Sequence, residues 1–182
     1  DISKSAVCPG FIDMHSHSDT YYFINPEAES KVRQGVTTEV IGNCGGSAAP
    51  LYGEFKARRR QEWEKLGIDV SWSSFKQYAD LLTNQGIALN LIPLIGHGNL
   101  RGAVKGFSKG RLTKAEKNKF YRLLERELAQ GAWGMSTGLI YIPGMFSNTE
   151  ELIGIARILS RHKRLYATHM RGEGDRLIEA VK

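Results

Sequence analysis

The sequence predicts an α/β fold in which parallel βα units form roughly the first five units of a truncated (βα)8 TIM-type barrel. Three observations carry that expectation. Five short apolar runs alternate with amphipathic helical patterns, which favours parallel strands joined by right-handed crossovers. Residues suited to metal or acid–base chemistry fall just past the C-terminal ends of different runs: His15 and His17, Cys44, His97, Tyr141, and His169 with Arg171. That rim is where (βα)8 barrels build their sites, although doubly wound sheets also bind ligands at strand C-termini. Third, the first βα turn lacks Gly-X-Gly-X-X-Gly and no phosphate-binding Lys-Ser/Thr motif follows, which disfavours a nucleotide domain.

The first strand is the buried-type run Phe11 to Met14, entered through Pro9-Gly10. A short helix from about Pro26 to Gln34 closes at Gly35, and Val36 to Ile41, rich in β-branched residues, reads as the second strand. Two helical segments, Leu51 to Leu66 and Ser74 to Gln85, then form a helical insertion over about 47–85. The third strand, Ala88 to Leu94, leads into a glycine-rich loop, Gly96 to Gly102. Thr113-Lys114-Ala115-Glu116 is a capping box, and Phe120, Leu123, Leu124 and Leu128 give the following helix its apolar stripe. A fourth strand over Ala132 to Ser136 precedes the loop Thr137 to Gly144. A helix starting near Ser147 to Glu150 carries Leu152, Ile155, Ala156 and Leu159 on one face; the fifth strand, Arg164 to Thr168, reaches His169, and a last helix opens around Asp175.

The 182 residues suit one domain, with 41% hydrophobic residues for a core. No apolar run is long enough to span a bilayer, and the N-terminus lacks a signal-peptide pattern. Two cysteines, Cys8 and Cys44, are too few for a disulfide scaffold and point to a reducing, cytoplasmic compartment. The net charge of +6 invites a nucleic-acid reading, but the densest cluster, Lys56 to Lys65, interleaves arginines with Glu62 and Glu64, as a solvated helix face does. The expectation is no nucleic acid and no membrane partner.

In an extended segment residues i and i+2 share a side, so His15 and His17 can converge on one ion; two exposed loop histidines are the alternative. Cys44 and His169, taken singly, read first as a small buried cysteine and a satisfied core histidine. Together on separate strand ends, one thiolate and several imidazoles make a borderline-soft donor set that suits zinc better than magnesium or calcium. Tyr141 is a candidate hydrogen-bond donor to a carbonyl oxygen, or an aromatic cover over the barrel mouth. Arg171 fits a partner for a substrate carboxylate, or a structural ion pair with Glu173 or Asp175.

Pro9 to Asp19, Gly35 to Gly45, Gly96-His97-Gly98-Asn99-Leu100-Arg101, Gly134 to Gly144 and Ala167-Thr168-His169-Met170-Arg171 together resemble the N-acyl-D-amino-acid deacylases (D-aminoacylases) of the amidohydrolase superfamily. The resemblance spans nearly the whole chain apart from the insertion. It implies residues 1–182 as a partial catalytic domain, without the family's β-sandwich and later barrel units. It further implies His15, His17, Cys44 and His169 as metal ligands, His97 as a residue lining the site, and zinc-dependent hydrolysis of N-acyl-D-amino acids. A sixth-strand metal histidine and a catalytic aspartate would lie beyond Lys182, so the chain alone is expected to be inactive. A dihydroorotase-like cyclic amidase is the nearest alternative, disfavoured by Cys44 in Asn-Cys-Gly-Gly; a catalytically silent homologue is another. The chain begins at Asp1 and ends inside a helical pattern, so it reads as cut at both ends. Five parallel strands leave unpaired edges, which implies self-association.

Overall fold

The computed structural model describes residues 4–181. Its strands are β1 (Phe11–Asp13), β2 (Val36–Ile41), β3 (Asn90–Gly96), β4 (Gly134–Gly138) and β5 (Leu165–His169). They pair in sequence order, all parallel, as one curled half-barrel, the architecture expected of a truncated TIM-type barrel. Helices fill each crossover: α1 (Glu29–Val32), then α2 (Gly53–Glu64) and α3 (Phe75–Gln85), then α4 (His97–Lys105) and α5 (Lys114–Ala129), then α6 (Thr149–Arg161). A final α7 (Leu177–Val181) follows β5. Among the described residues no helix is long and apolar enough to cross a membrane.

β2 occupies the residues its β-branched pattern predicts. β3 and β4 run two residues further than expected, because glycines keep the ladder going: Gly96 pairs with Ser136 and Gly138 with His169. The extension makes His169 the last residue of β5. β1 departs from expectation more sharply. Phe11 and Ile12 are 57% and 56% exposed, because β1 pairs with β2 alone and forms an edge of the sheet.

The glycine-rich stretch after β3 is helix α4 rather than a loop. Glycine lowers helix propensity by about 1 kcal/mol per residue. Anchoring outweighs it here: the Gly98 N–H donates to Gly45 O at 2.8 Å, Asn99 holds Ser47 and Pro50, and Arg101 is fully buried among carbonyls. Gly102 must be small, since a Cβ there would stand 2.6 Å from the Phe55 ring.

α5 starts at the expected capping box, in which Thr113 Oγ1 accepts the Glu116 N–H and Glu116 returns the bond to the Thr113 N–H. Its stripe buries Phe120, Leu124 and Leu128, with Leu123 half-covered. A side chain buried as Phe120 is contributes about 1.5–3 kcal/mol. On α6 the inward stripe is Glu151, Ile155, Ile158 and Leu159, an i, i+4, i+7, i+8 pattern that leaves Ala156 outside. Trp72, Phe75, Tyr78 and Leu82 carry α3 and the residues just before it into the same core, so α3 is packed onto the half-barrel.

Candidate metal centre

The first histidine pair leaves β1 along the side of β2. The Ser16 N–H donates to Val40 O at 3.0 Å, and Asp13 Oδ1 accepts the His15 N–H at 3.1 Å. Beneath this loop Glu39, fully buried on β2, accepts hydrogen bonds from the hydroxyls of Ser18 and Tyr22. Lys31 bridges Glu39 Oε1 (2.9 Å) and Asp13 Oδ2 (2.5 Å). Burial works against the Glu39 carboxylate, but the Ser18, Tyr22 and Lys31 donors outweigh it and hold its pKa below the ordinary carboxylate value. The hydrogen bond from Lys31 holds Asp13 low as well.

Cys44 follows β2 in a left-handed turn, with φ of 53° at Cys44 and 76° at Gly45. Such a conformation is uncommon for a residue with a Cβ and needs the surroundings to impose it. Three groups do so. Ser136 Oγ donates to Gly42 O at 2.5 Å and accepts the Gly45 N–H at 2.9 Å. Asn99 Oδ1 accepts the Ser47 N–H at 3.1 Å, and the buried Asp19 carboxylate accepts the N–H groups of Gly42 and Ala48. Desolvation raises the Asp19 pKa against those two bonds. The turn also lies flat against the end of β4: a Cβ on Gly138 would collide with the Cys44 carbonyl, which explains the glycine.

These supports bring the donor atoms of His15, His17 and Cys44 within 4.8 Å of one another. Cys44 Sγ lies 3.4 Å from His15 Nε2 and 3.4 Å from His169 Nδ1, so the sulfur stands between the first-strand pair and the fifth-strand histidine. Bond lengths of about 2.3 Å to sulfur and 2.0 Å to nitrogen place tetrahedral donors about 3.5 Å apart, so the two 3.4 Å spacings from Cys44 Sγ, to His15 and to His169, suit zinc ligands. Glu173 Oε1 sits 2.9 Å from His169 Nε2 but off the N–H direction, leaving that buried nitrogen without an aligned hydrogen bond. Burial pushes the Cys44 thiol up, and Glu173 adds to the effect.

A cavity of about 370 Å3 opens beside the cluster, lined among others by His17, Asp19, Cys44, Arg59, Trp63 and Tyr141. Tyr141 is half exposed; its ring packs edge-on against His169 with centroids 4.9 Å apart, and its hydroxyl lies 3.4 Å from His169 Nδ1. Two expected residues are elsewhere. His97 is fully buried, with Nε2 2.8 Å from Glu151 Oε1, and does not line the cavity. Arg101 meets the same carboxylate oxygen at 3.0 Å and donates to Pro143 O and Phe146 O, so the Gly-His-Gly-X-X-Arg segment braces the Tyr141 loop from below. Arg171 borders a separate hollow with Gly172, Arg176 and Glu179, and pairs with neither Glu173 nor Asp175. Sequence reasoning missed Glu39, Ser136 and Arg59. A charged residue inside the β-branched run of β2 was the one available signal.

No family model matches the chain. Curated relatives do. An N-acyl-D-aspartate deacylase from Alcaligenes xylosoxydans xylosoxydans is 40% identical over 187 residues, covering 100% of this chain and 36% of the relative. A D-aminoacylase from the same organism is 39% identical over 184 residues, covering 100% of this chain and 37% of the relative. Among solved structures, an N-acyl-D-glutamate deacylase from Bordetella bronchiseptica, complexed with zinc and a phosphonate inhibitor that mimics the tetrahedral intermediate, superposes with a TM-score of 0.85 at 38% identity. That match covers 95% of this chain and 36% of the other. The chain thus spans a little over a third of the length of the relatives it matches.

The depressed Glu39 and Asp13 pKa values make the histidine loop acid-sensitive. Both contributions are complete above the unfolded carboxylate value, about pH 4, and are lost as pH falls through the lower folded values. Glu39→Gln is expected to flatten the acid limb of stability against pH, measured as urea midpoints between about pH 3 and pH 7. A variant with the parental acid limb would contradict the network.

Proposed function

We propose, for a chain related along its whole length to the N-acyl-D-amino-acid deacylases, that it forms the metal-binding half of a zinc-dependent amidohydrolase acting on N-acyl-D-amino acids. One observation carries the reading: the Cys44 thiol clusters with the His15 and His17 imidazoles and lies 3.4 Å from a third imidazole, His169, so donors from three strand ends share one sulfur beside an open cavity. His15, His17, Cys44 and His169 would hold the metal, arranged around the shared Cys44 sulfur. Zinc supplies Lewis acidity there, polarising the amide carbonyl and making water acidic enough to attack at neutral pH.

The chain's own residues prepare the rest. Tyr141 offers its hydroxyl to the carbonyl oxygen as negative charge develops, and its packing on His169 keeps it near the ligands. Asp19 is unsuited to proton transfer, since both of its oxygens already accept backbone N–H groups. The resemblance supplies that role from an aspartate beyond Lys182. Residues 1–182 are read as a partial catalytic domain in which the insertion over about 47–85 walls the cavity through Arg59 and Trp63. The free thiols of Cys8 and Cys44 support a cytoplasmic setting.

The exposed Phe11 and Ile12 on β1, with Leu165 and Tyr166 on β5, support self-association of the isolated chain. Light scattering is expected to show mass rising with concentration; a monomer throughout would sink this idea. The catalytic reading is tested on the zinc-loaded full-length gene product with N-acetyl-D-leucine and N-acetyl-D-aspartate. Release of free D-amino acid is expected, and Tyr141→Phe should lower kcat about 100- to 1000-fold with zinc content unchanged. Full zinc occupancy with no hydrolysis of any N-acyl-D-amino acid would overturn the assignment.

A further inference from the structure

α2 reads in sequence as a solvated, charge-laced helix, and Arg58 and Arg60 behave that way, pairing with Glu62 and Glu64 one turn on. Arg59 differs. It turns toward the cavity and lines it together with Cys44, His17 and Tyr141. Its guanidinium is held in place: Cζ lies 5.1 Å from the centre of the Phe55 ring and 5.7 Å from that of Trp63, and Nη1 donates to Glu62 Oε2 at 2.6 Å. Glu62 is shared with Arg58 Nε at 3.1 Å, so two guanidiniums face one carboxylate and the cluster keeps a net positive charge.

The rest of the fork is free. Nη2 lies 3.8 Å from the point where a Cβ on Gly46 would stand, so glycine at 46 leaves its approach open, within the loop that carries Cys44. Asp19, the buried acid lining the same cavity, accepts the Gly42 and Ala48 N–H groups and forms no ion pair with Arg59. A guanidinium whose position is fixed by two aromatic rings and one carboxylate, with donors left over in a cavity of ligand size, is a preorganised carboxylate receptor.

We propose that Arg59 is a substrate-binding residue that anchors a carboxylate of an N-acyl amino acid, leaving the amide free to reach the Cys44 and Tyr141 edge of the same cavity. This rests on the deacylase reading above and adds to it the group that orients the substrate. The carboxylate is either the α-carboxylate, common to all such substrates, or the side-chain carboxylate of an acidic one.

The experiment compares Arg59, Arg59→Lys and Arg59→Met in the zinc-loaded full-length gene product. Methionine keeps the apolar stem against Phe55 and Trp63, and lysine keeps the charge without the fork. Binding is read by calorimetry with the N-methylphosphonyl derivatives of D-leucine, D-aspartate and D-leucinamide, which are not turned over. Arg59→Met is expected to weaken the carboxylates about 10- to 100-fold, as loss of a charged hydrogen bond does, with Arg59→Lys intermediate and the amide unchanged. Equal weakening of both acids assigns the α-carboxylate; weakening of the D-aspartate derivative alone assigns the side chain. Unchanged binding of all three, or equal loss for the amide, overturns the proposal. Hydrolysis of the matching N-acetyl compounds is read in parallel. Normal hydrolysis with Arg59-independent binding defeats this inference alone, whereas Arg59-dependent binding without hydrolysis defeats the catalytic reading alone.

Discussion

The Ser136 hydroxyl, bonded at once to Gly42 O and the Gly45 N–H, is the contact on which the arrangement of the site depends. It ties the end of β4 to the turn after β2 and so holds Cys44 in a left-handed conformation that a lone cysteine would avoid. Because Gly138 on β4 also pairs with His169 on β5, the same strand sets the separation between sulfur and imidazole. Two strand ends are thereby locked to a third through one serine and one glycine. Preorganisation of this kind lets donor atoms stand at metal-ligand spacing through protein contacts alone.

Charge is arranged in two buried nests on either side of this turn. On one side Glu39 gathers Ser18, Tyr22 and Lys31 beneath the histidine pair; on the other Glu151 gathers His97 and Arg101 beneath the Tyr141 loop. A buried carboxylate is costly unless its partners are hydrogen-bonded to it. Burial opposes ionisation of Glu151 as it does of Glu39, yet His97 and Arg101 hold its pKa below the usual carboxylate value. Each nest thus holds one loop that bears site residues, and neither carboxylate faces the cavity.

Much of this was legible in the residues. β2 and the capping box of α5 are local signals that the tertiary structure leaves intact, and the histidine pair and Cys44 announced themselves by type and position. What failed depended on distant partners. The Gly96 to Gly102 stretch looks like a loop until Arg101, Asn99 and Phe55 are seen to hold it as a helix; His97 then turns to Glu151, 54 residues away in sequence, rather than to the cavity. The run at Phe11 looks buried because its composition is apolar, yet β1 is a sheet edge. Arg59 looks like its neighbours Arg58 and Arg60, and only its place on the cavity wall, between Phe55 and Trp63, sets it apart.

The central claim is a shared cysteine and histidine metal site, and X-ray absorption at the zinc edge of the zinc-loaded chain tests it most directly. The account predicts a sulfur scatterer at about 2.3 Å with nitrogens at about 2.0 Å, the sulfur shell vanishing in Cys44→Ser while the nitrogens remain. A shell of light atoms alone in the parent chain, or a sulfur shell that survives Cys44→Ser, would contradict it.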